Sequence, residues 1–82
     1  MDDDGITHRA DLRGFRCPLP ALKTRARLKA MSIGERLEVL TDDPLAGIDI
    51  PAFAREAGQT LTIKETRSGD ERRFVLERCE GL

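Results

Sequence analysis

One cysteine of this 82-residue chain stands where a thiol can become reactive. Cys17 follows a glycine turn and precedes proline in the segment 11–20, DLRGFRCPLP. Pro18 suits the first position of a helix, because the N–H that proline lacks has no helical partner there. Pro20 still lies in the first turn, where proline is tolerated. Cys17 is therefore predicted to cap a helix, where the peptide dipoles stabilise a thiolate over a thiol.

Two cations near Cys17 support the same prediction. Arg13 and Arg16 lie close to it in sequence and would favour a negative charge on its sulfur. Because the thiolate is the good nucleophile, the pattern predicts sulfur chemistry. The alternative is that Cys17 is a small buried hydrophobe, which is the commoner role of a free cysteine. The glycine turn, the proline and the cations favour the reactive thiol.

The motif around Cys17 resembles the signature of the TusA-type sulfur-carrier family, also called SirA-like. The residues that match it are Asp11, Gly14 and the run Arg16-Cys17-Pro18-x-Pro20. Asp42-Asp43-Pro44, Asp49-Ile50-Pro51-x-Phe53 and the closing strand pair also look like this family. The resemblance covers residues 10–78, which is most of the chain.

The resemblance implies a specific reaction. Proteins of this family accept a sulfane sulfur from a cysteine desulfurase as a persulfide and pass it to a downstream acceptor protein, in many cases toward 2-thiouridine in tRNA. Cys17 would attack the donor's persulfide, and Arg16 would stabilise charge or dock the partner. Pro18 and Pro20 would shape the helix start, and no cofactor would be required. The particular donor, acceptor and pathway stay open, since family members also serve molybdenum-cofactor supply, sulfur oxidation and selenium handling.

A second hypothesis of a different class is a non-catalytic regulatory or protein-interaction module on the same fold, in which Cys17 is only a helix cap. Other chemistries are disfavoured. One histidine and two distant cysteines make a poor zinc site, so no metal is expected. His8 is predicted to be an exposed strand-end residue rather than a base. Cys79 is predicted to be a bystander, with resolution of a Cys17 persulfide as the alternative.

Length and composition predict one domain over residues 1–82, with residues 1–5 as a flexible tail. The net charge is −1, but cations concentrate between residues 9 and 29. They could steer an acidic partner or tRNA, or form a solvated helix surface. Three phenylalanines as the only aromatics argue against direct, sequence-specific RNA binding. With no membrane-length apolar run and no secretion signal, we expect a cytoplasmic protein that does not associate with membranes.

The elements that position Cys17 follow from the apolar pattern. Strands are predicted over residues 7–12, 36–41, 60–66 and 72–78, with helices over 18–31 and from about 44 to 58. Pro51 predicts a kink or fresh start near Asp49 in the second helix. The order βαβαββ predicts an α+β fold, a two-layer sandwich with a mixed four-stranded sheet and both helices on one face. The strand order in the sheet does not follow from the sequence.

Several side chains have two interpretations at this level. Asp11 could orient the turn or approach the cysteine, and Asp43 is predicted to be a helix N-cap rather than a catalytic acid. Leu61 and Ile63 are both predicted to face the core. Leu19 and Leu22 either pack on the other helix or, together with Lys23, form a surface that docks a partner.

Overall fold

The computed structural model describes residues 5–82, so residues 1–4 of the predicted tail lie outside it. The elements follow the predicted order βαβαββ. They are β1 (His8–Asp11), α1 (Leu19–Lys29), β2 (Arg36–Thr41), α2 (Ala46–Ala57), β3 (Thr60–Thr66) and β4 (Arg72–Glu77). The predicted fold class is confirmed: one mixed four-stranded sheet is covered by two helices.

The strand order in the sheet is β1-β2-β4-β3. β1 pairs with β2 in parallel, as a strand–helix–strand unit predicts, and β4 pairs antiparallel with both β2 and β3. Parallel neighbours end on the same side of a sheet. The loops that follow Asp11 and Thr41 therefore meet at one place, which we call the carboxyl end of the β1–β2 pair.

The core lies between one face of the sheet and the two helices. Leu37 pairs with Leu76, and Val39 with Phe74, so these four fully buried side chains share one face. Leu28 of α1 and Ile50 of α2 are also fully buried and belong to the same cluster, which places both helices on that face. The opposite face carries ion pairs, among them Arg73 with Glu38 at 2.6 Å.

The predicted break in the second helix is wrong. α2 is a single helix that contains Pro51 and ends at Gly58, whose φ of 71° is the left-handed conformation predicted for it. Pro51 cannot donate to the carbonyl of Gly47, four residues earlier. That missing bond lies one turn from the start of α2, so the helix loses one bond near its end and continues.

The prediction that Ile63 faces the core is also wrong. Leu61 pairs with Leu76 and packs against the core, but a register shift follows and Ile63 pairs with Val75. Val75 points to the opposite face from its neighbour Leu76. A β-bulge inserts one residue and moves the side chains beyond it to the other face, and residue alternation alone does not reveal it.

Alanine substitution of two leucines of α1 tests which face of this helix packs on the sheet. Leu28→Ala removes a fully buried side chain, so we expect the free energy of unfolding to fall by about 2–5 kcal/mol. Leu22→Ala truncates a side chain that is 55% exposed and should change the free energy by less than about 0.5 kcal/mol. Urea unfolding followed by circular dichroism measures both. Equal losses in the two variants would contradict the described packing of α1.

Candidate functional site

Cys17 lies at the carboxyl end of the β1–β2 pair, in a turn that leads into α1. The Arg16 carbonyl accepts a hydrogen bond from the Leu19 N–H at 2.8 Å, which closes a turn around Cys17 and Pro18. The helix begins at Leu19, and Pro18 occupies the N-cap position without a capping side chain. The prediction that Cys17 caps α1 is therefore wrong, because the turn holds it one residue ahead of the cap.

Two consecutive aspartates after β2 hold the cysteine loop. Asp43 accepts a hydrogen bond from the Cys17 N–H at 2.7 Å, and Asp42 accepts one from the Gly14 N–H at 2.9 Å. Gly14 has a φ of +94°, so it makes the turn that the sequence predicted at this position. The N-cap of α2 is Leu45, which corrects the prediction for Asp43. Asp43 is 3% exposed and connects the two loops.

Carboxylates also pair with both predicted supporting cations. Arg13 binds Asp11 through two hydrogen bonds of 2.8 and 2.7 Å, and Arg16 binds Asp42 at 2.9 Å. The bonds from Arg13 lower the pKa of Asp11 to about 2. The Gly14 N–H and then Arg16 lower the pKa of Asp42. Asp11 thus orients the turn through Arg13, and neither arginine is left with uncompensated charge for the thiol.

The thiol of Cys17 has the opposite electrostatics from those expected. It is exposed, and its pKa is raised above the ordinary value of a cysteine. The largest cause is a hydrogen bond with the side chain of Asp49, followed by partial desolvation and the negative charges of Asp49 and Asp43. The surroundings of Cys17 therefore favour the thiol, contrary to the expectation of a stabilised thiolate.

An open groove of about 350 Å³ connects Cys17 to both helices. Its lining residues are Cys17, Pro18, Ala21, Leu22, Asp49, Ala52, Phe53 and Glu56. Leu19 and Leu22 are 43% and 55% exposed, so they do not pack away against α2. Leu45, the N-cap of α2, and Ile48 in its first turn are exposed as well. Apolar side chains from the starts of both helices therefore lie near the thiol.

Lys23 takes a different position from its two leucine neighbours. Its ammonium lies 4.6 Å from the centre of the Phe15 ring, a cation–π distance. It lines a second groove of about 360 Å³, together with Asp11, Leu12, Phe15, Ala26 and Arg27. Pro20 is buried in the first turn of α1. The structure thus brings Leu22 and Cys17 into one groove and places Lys23 in another.

The remaining cysteine and the histidine lie at the other end of the sheet. Cys79 follows β4, whose last residue Glu77 pairs with Arg36 at the start of β2. His8 begins β1 and binds Glu35 at 3.1 Å. A six-residue strand spans about 20 Å, so neither side chain reaches Cys17 within one molecule. Intramolecular resolution by Cys79 and base catalysis by His8 are both incompatible with this geometry.

Residues 5–82 contain neither a metal-ligand cluster nor a membrane-spanning helix. Within this range, no three histidine, cysteine, aspartate or glutamate side chains cluster as metal ligands would. Across the same range, no helix has the length and apolar character needed to span a bilayer.

Sequence reasoning missed the placement of Asp49 in the groove of the thiol and the roles of Asp42 and Asp43 in the cysteine loop. A signal for the last two was present. In a parallel pair, the segments that follow both strands meet at the same end, and both aspartates follow β2 directly. The placement of Asp49 depends on the packing of α2 beside α1, for which the sequence holds no comparable signal.

Comparison with known proteins agrees with the motif. The sequence model of a family described as Sulfurtransferase TusA matches residues 8–78. The crystal structure of a SirA-like protein from Desulfitobacterium hafniense is similar to this chain with a TM-score of 0.76 and 17% sequence identity. The alignment covers 90% of this chain and 100% of that one. At this identity the structural likeness shows the fold, whereas the family match confirms the resemblance seen in the sequence.

The raised pKa of Cys17 predicts slow alkylation. In a Cys79→Ser background, iodoacetamide should modify Cys17 more slowly in the folded protein than in the urea-unfolded protein near neutral pH. Only the thiolate reacts, and folding disfavours it through Asp49. Intact mass against time measures both rates, and the pH profile of the folded protein should be displaced upward. Faster alkylation of the folded chain would contradict the described environment.

Proposed function

This chain belongs to the family of the sulfurtransferase TusA, whose proteins transfer sulfur, and we propose that it carries sulfur as a persulfide on Cys17. The observation that best supports this role is the placement of the thiol. Cys17 is exposed, it is fixed through its backbone to Asp43 at 2.7 Å, and it opens onto a groove between two helices. A partner's sulfur can reach such a thiol without rearrangement of the sheet.

The donor we propose is a cysteine desulfurase, and the recipient is a downstream sulfur acceptor protein. Cys17 would attack the outer sulfur of the donor's persulfide, and the resulting Cys17 persulfide would later be attacked by a thiol of the acceptor. The end product that we propose is 2-thiouridine in tRNA, made by the acceptor rather than through direct RNA recognition by this chain. The cytoplasm suits this chemistry because its thiols are kept reduced, and both cysteines of this chain are free.

The partners would dock on the apolar residues around the groove. Leu19 and Leu22 are exposed beside Cys17, and exposed leucines that flank a reactive group are a common feature of protein interfaces. Leu45 and Ile48 extend this surface onto α2. The cations of α1, including Lys23, lie outside the groove and would contribute to steering.

One observation favours the second candidate, a non-catalytic interaction module. The thiol pKa is raised, so Cys17 in the free protein is a poor nucleophile. Under that alternative, the exposed leucines would still bind a partner, but no sulfur would be transferred. If the chain is a sulfur carrier, the unaltered chain takes up sulfur and Cys17→Ser does not. If it is only an interaction module, neither chain takes up sulfur and both still bind the partner.

Intact mass gives the first test of the proposal. Mixed with a cysteine desulfurase and cysteine, the chain should gain about 32 Da, the mass of one sulfur atom, and reductant should remove the gain. Cys17→Ser should not gain mass, whereas Cys79→Ser should gain as the unaltered chain does. No gain in the unaltered chain would support the interaction module. A gain that survives Cys17→Ser and disappears in Cys79→Ser would assign the carrier role to Cys79 and contradict the proposal.

Leu22→Ser tests the docking surface. It removes an exposed apolar side chain beside Cys17 and should slow sulfur uptake from the desulfurase at limiting chain concentration, with little effect at saturation. Ile33→Ser is the matched control, because Ile33 is 61% exposed and lies after the far end of α1. Stopped-time mass measurements over a range of chain concentrations separate affinity from rate. Equal effects of the two substitutions would show that the leucine does not contact the donor.

A further inference from the structure

Cys17 has a carboxylate partner in the groove that it lines. That partner is Asp49, which projects from the first turn of α2 into the same groove as the thiol. A thiol that attacks a persulfide must lose its proton. Asp49 lies in the groove of the thiol and is the group that raises its pKa most, so it is the first candidate to receive the proton.

The other charged groups around Cys17 are occupied or lie farther along the groove. Asp43 binds the N–H groups of Cys17 and Leu45 at 2.7 and 3.3 Å. Arg16 is tied to Asp42 at 2.9 Å. Glu56 lines the groove two helical turns beyond Asp49, and it is absent from the causes that shift the thiol pKa.

We propose that Asp49 is a catalytic residue that accepts the proton of the Cys17 thiol during sulfur transfer and delivers it to the departing donor sulfur. This inference rests on the proposed function and adds a proton pathway to it. A carboxylate that lines the same groove as the reacting thiol is positioned to act as its general base.

The atoms of the step balance without an outside oxidant or reductant. The thiol of Cys17 gives its proton to the Asp49 carboxylate as its sulfur bonds to the outer sulfur of the donor persulfide, R–S–SH. The bond between the two donor sulfurs breaks, and its electron pair stays on the inner sulfur. Asp49 then protonates that sulfur. The products are the Cys17 persulfide, whose outer sulfur keeps its own hydrogen, and the donor thiol R–SH.

Asp49→Asn tests the proposal because its two expected effects have opposite signs. The amide cannot accept the proton, so the maximal single-turnover rate of transfer from a persulfide-loaded desulfurase should fall at least about 10-fold. The chain concentration that gives half of this rate should be unchanged. Iodoacetamide, which needs only a thiolate, should modify Cys17 faster near neutral pH, because the carboxylate that favours the thiol is gone.

Two further variants control for structure and charge. Glu80→Gln removes an exposed carboxylate after β4, at the opposite end of the sheet and outside the groove, and both rates should match those of the unaltered chain. Asp49→Glu keeps a proton acceptor and should retain more of the transfer rate than Asp49→Asn. Circular dichroism checks that all variants fold.

Each other outcome overturns a defined statement. Faster transfer together with faster alkylation in Asp49→Asn would mean that Asp49 only suppresses the thiolate, and the proposal would be wrong. An unchanged alkylation rate in Asp49→Asn would show that the Asp49 carboxylate does not act on the Cys17 thiol, and the proposal would again be wrong. If the unaltered chain takes up no sulfur, the proposed function fails and the catalytic role fails with it, while the alkylation assay still shows whether Asp49 controls the thiol.

Discussion

The hydrogen bond from the Cys17 N–H to the Asp43 carboxylate determines how the rest of the site is arranged. A buried carboxylate is costly unless hydrogen-bond donors surround it. Asp43 is almost fully buried, and it receives the N–H groups of Cys17 and Leu45. One side chain therefore fixes the loop after β1 and the start of α2 together. This contact is possible because β1 and β2 are parallel and end at the same side of the sheet.

The charges near the thiol show why closeness in sequence is a poor guide to electrostatics. Arg13 and Arg16 precede Cys17 closely in the chain, yet each of them binds a carboxylate. The groups left to act on the sulfur are Asp49 and Asp43, which favour the protonated thiol. Oxidation of a cysteine follows its thiolate character and its exposure. The raised pKa of Cys17 therefore lowers its reactivity with oxidants, while its exposure keeps it accessible to a protein that docks at the groove.

Sequence alone predicted the elements well and their junctions poorly. Periodicity and turn residues correctly predicted the bounds of β3 and the two faces of β4, because these features depend on neighbours along the chain. The errors at Cys17, Pro51 and Ile63 share a different cause. A local turn holds Cys17 one residue ahead of the helix cap. Pro51 lies near the start of α2, so it removes one hydrogen bond without breaking the helix. A β-bulge turns the side chain of Ile63 to the opposite face of the sheet. The strand order and the placement of Asp49 depend on tertiary packing, which no local pattern encodes.

The position of the second cysteine constrains how a sulfur carrier of this shape can operate. Cys79 lies at the opposite end of the sheet, so a sulfur carried on Cys17, as we propose, would have to leave to another molecule rather than through an internal disulfide. The other face of the sheet is occupied by ion pairs such as Arg9 and Arg73 with Glu38, whereas the exposed Leu22 lines the groove at Cys17. In the proposed function, donor and acceptor would therefore reach the same sulfur through the same surface. They would then bind in turn, by exchange of one partner for the other.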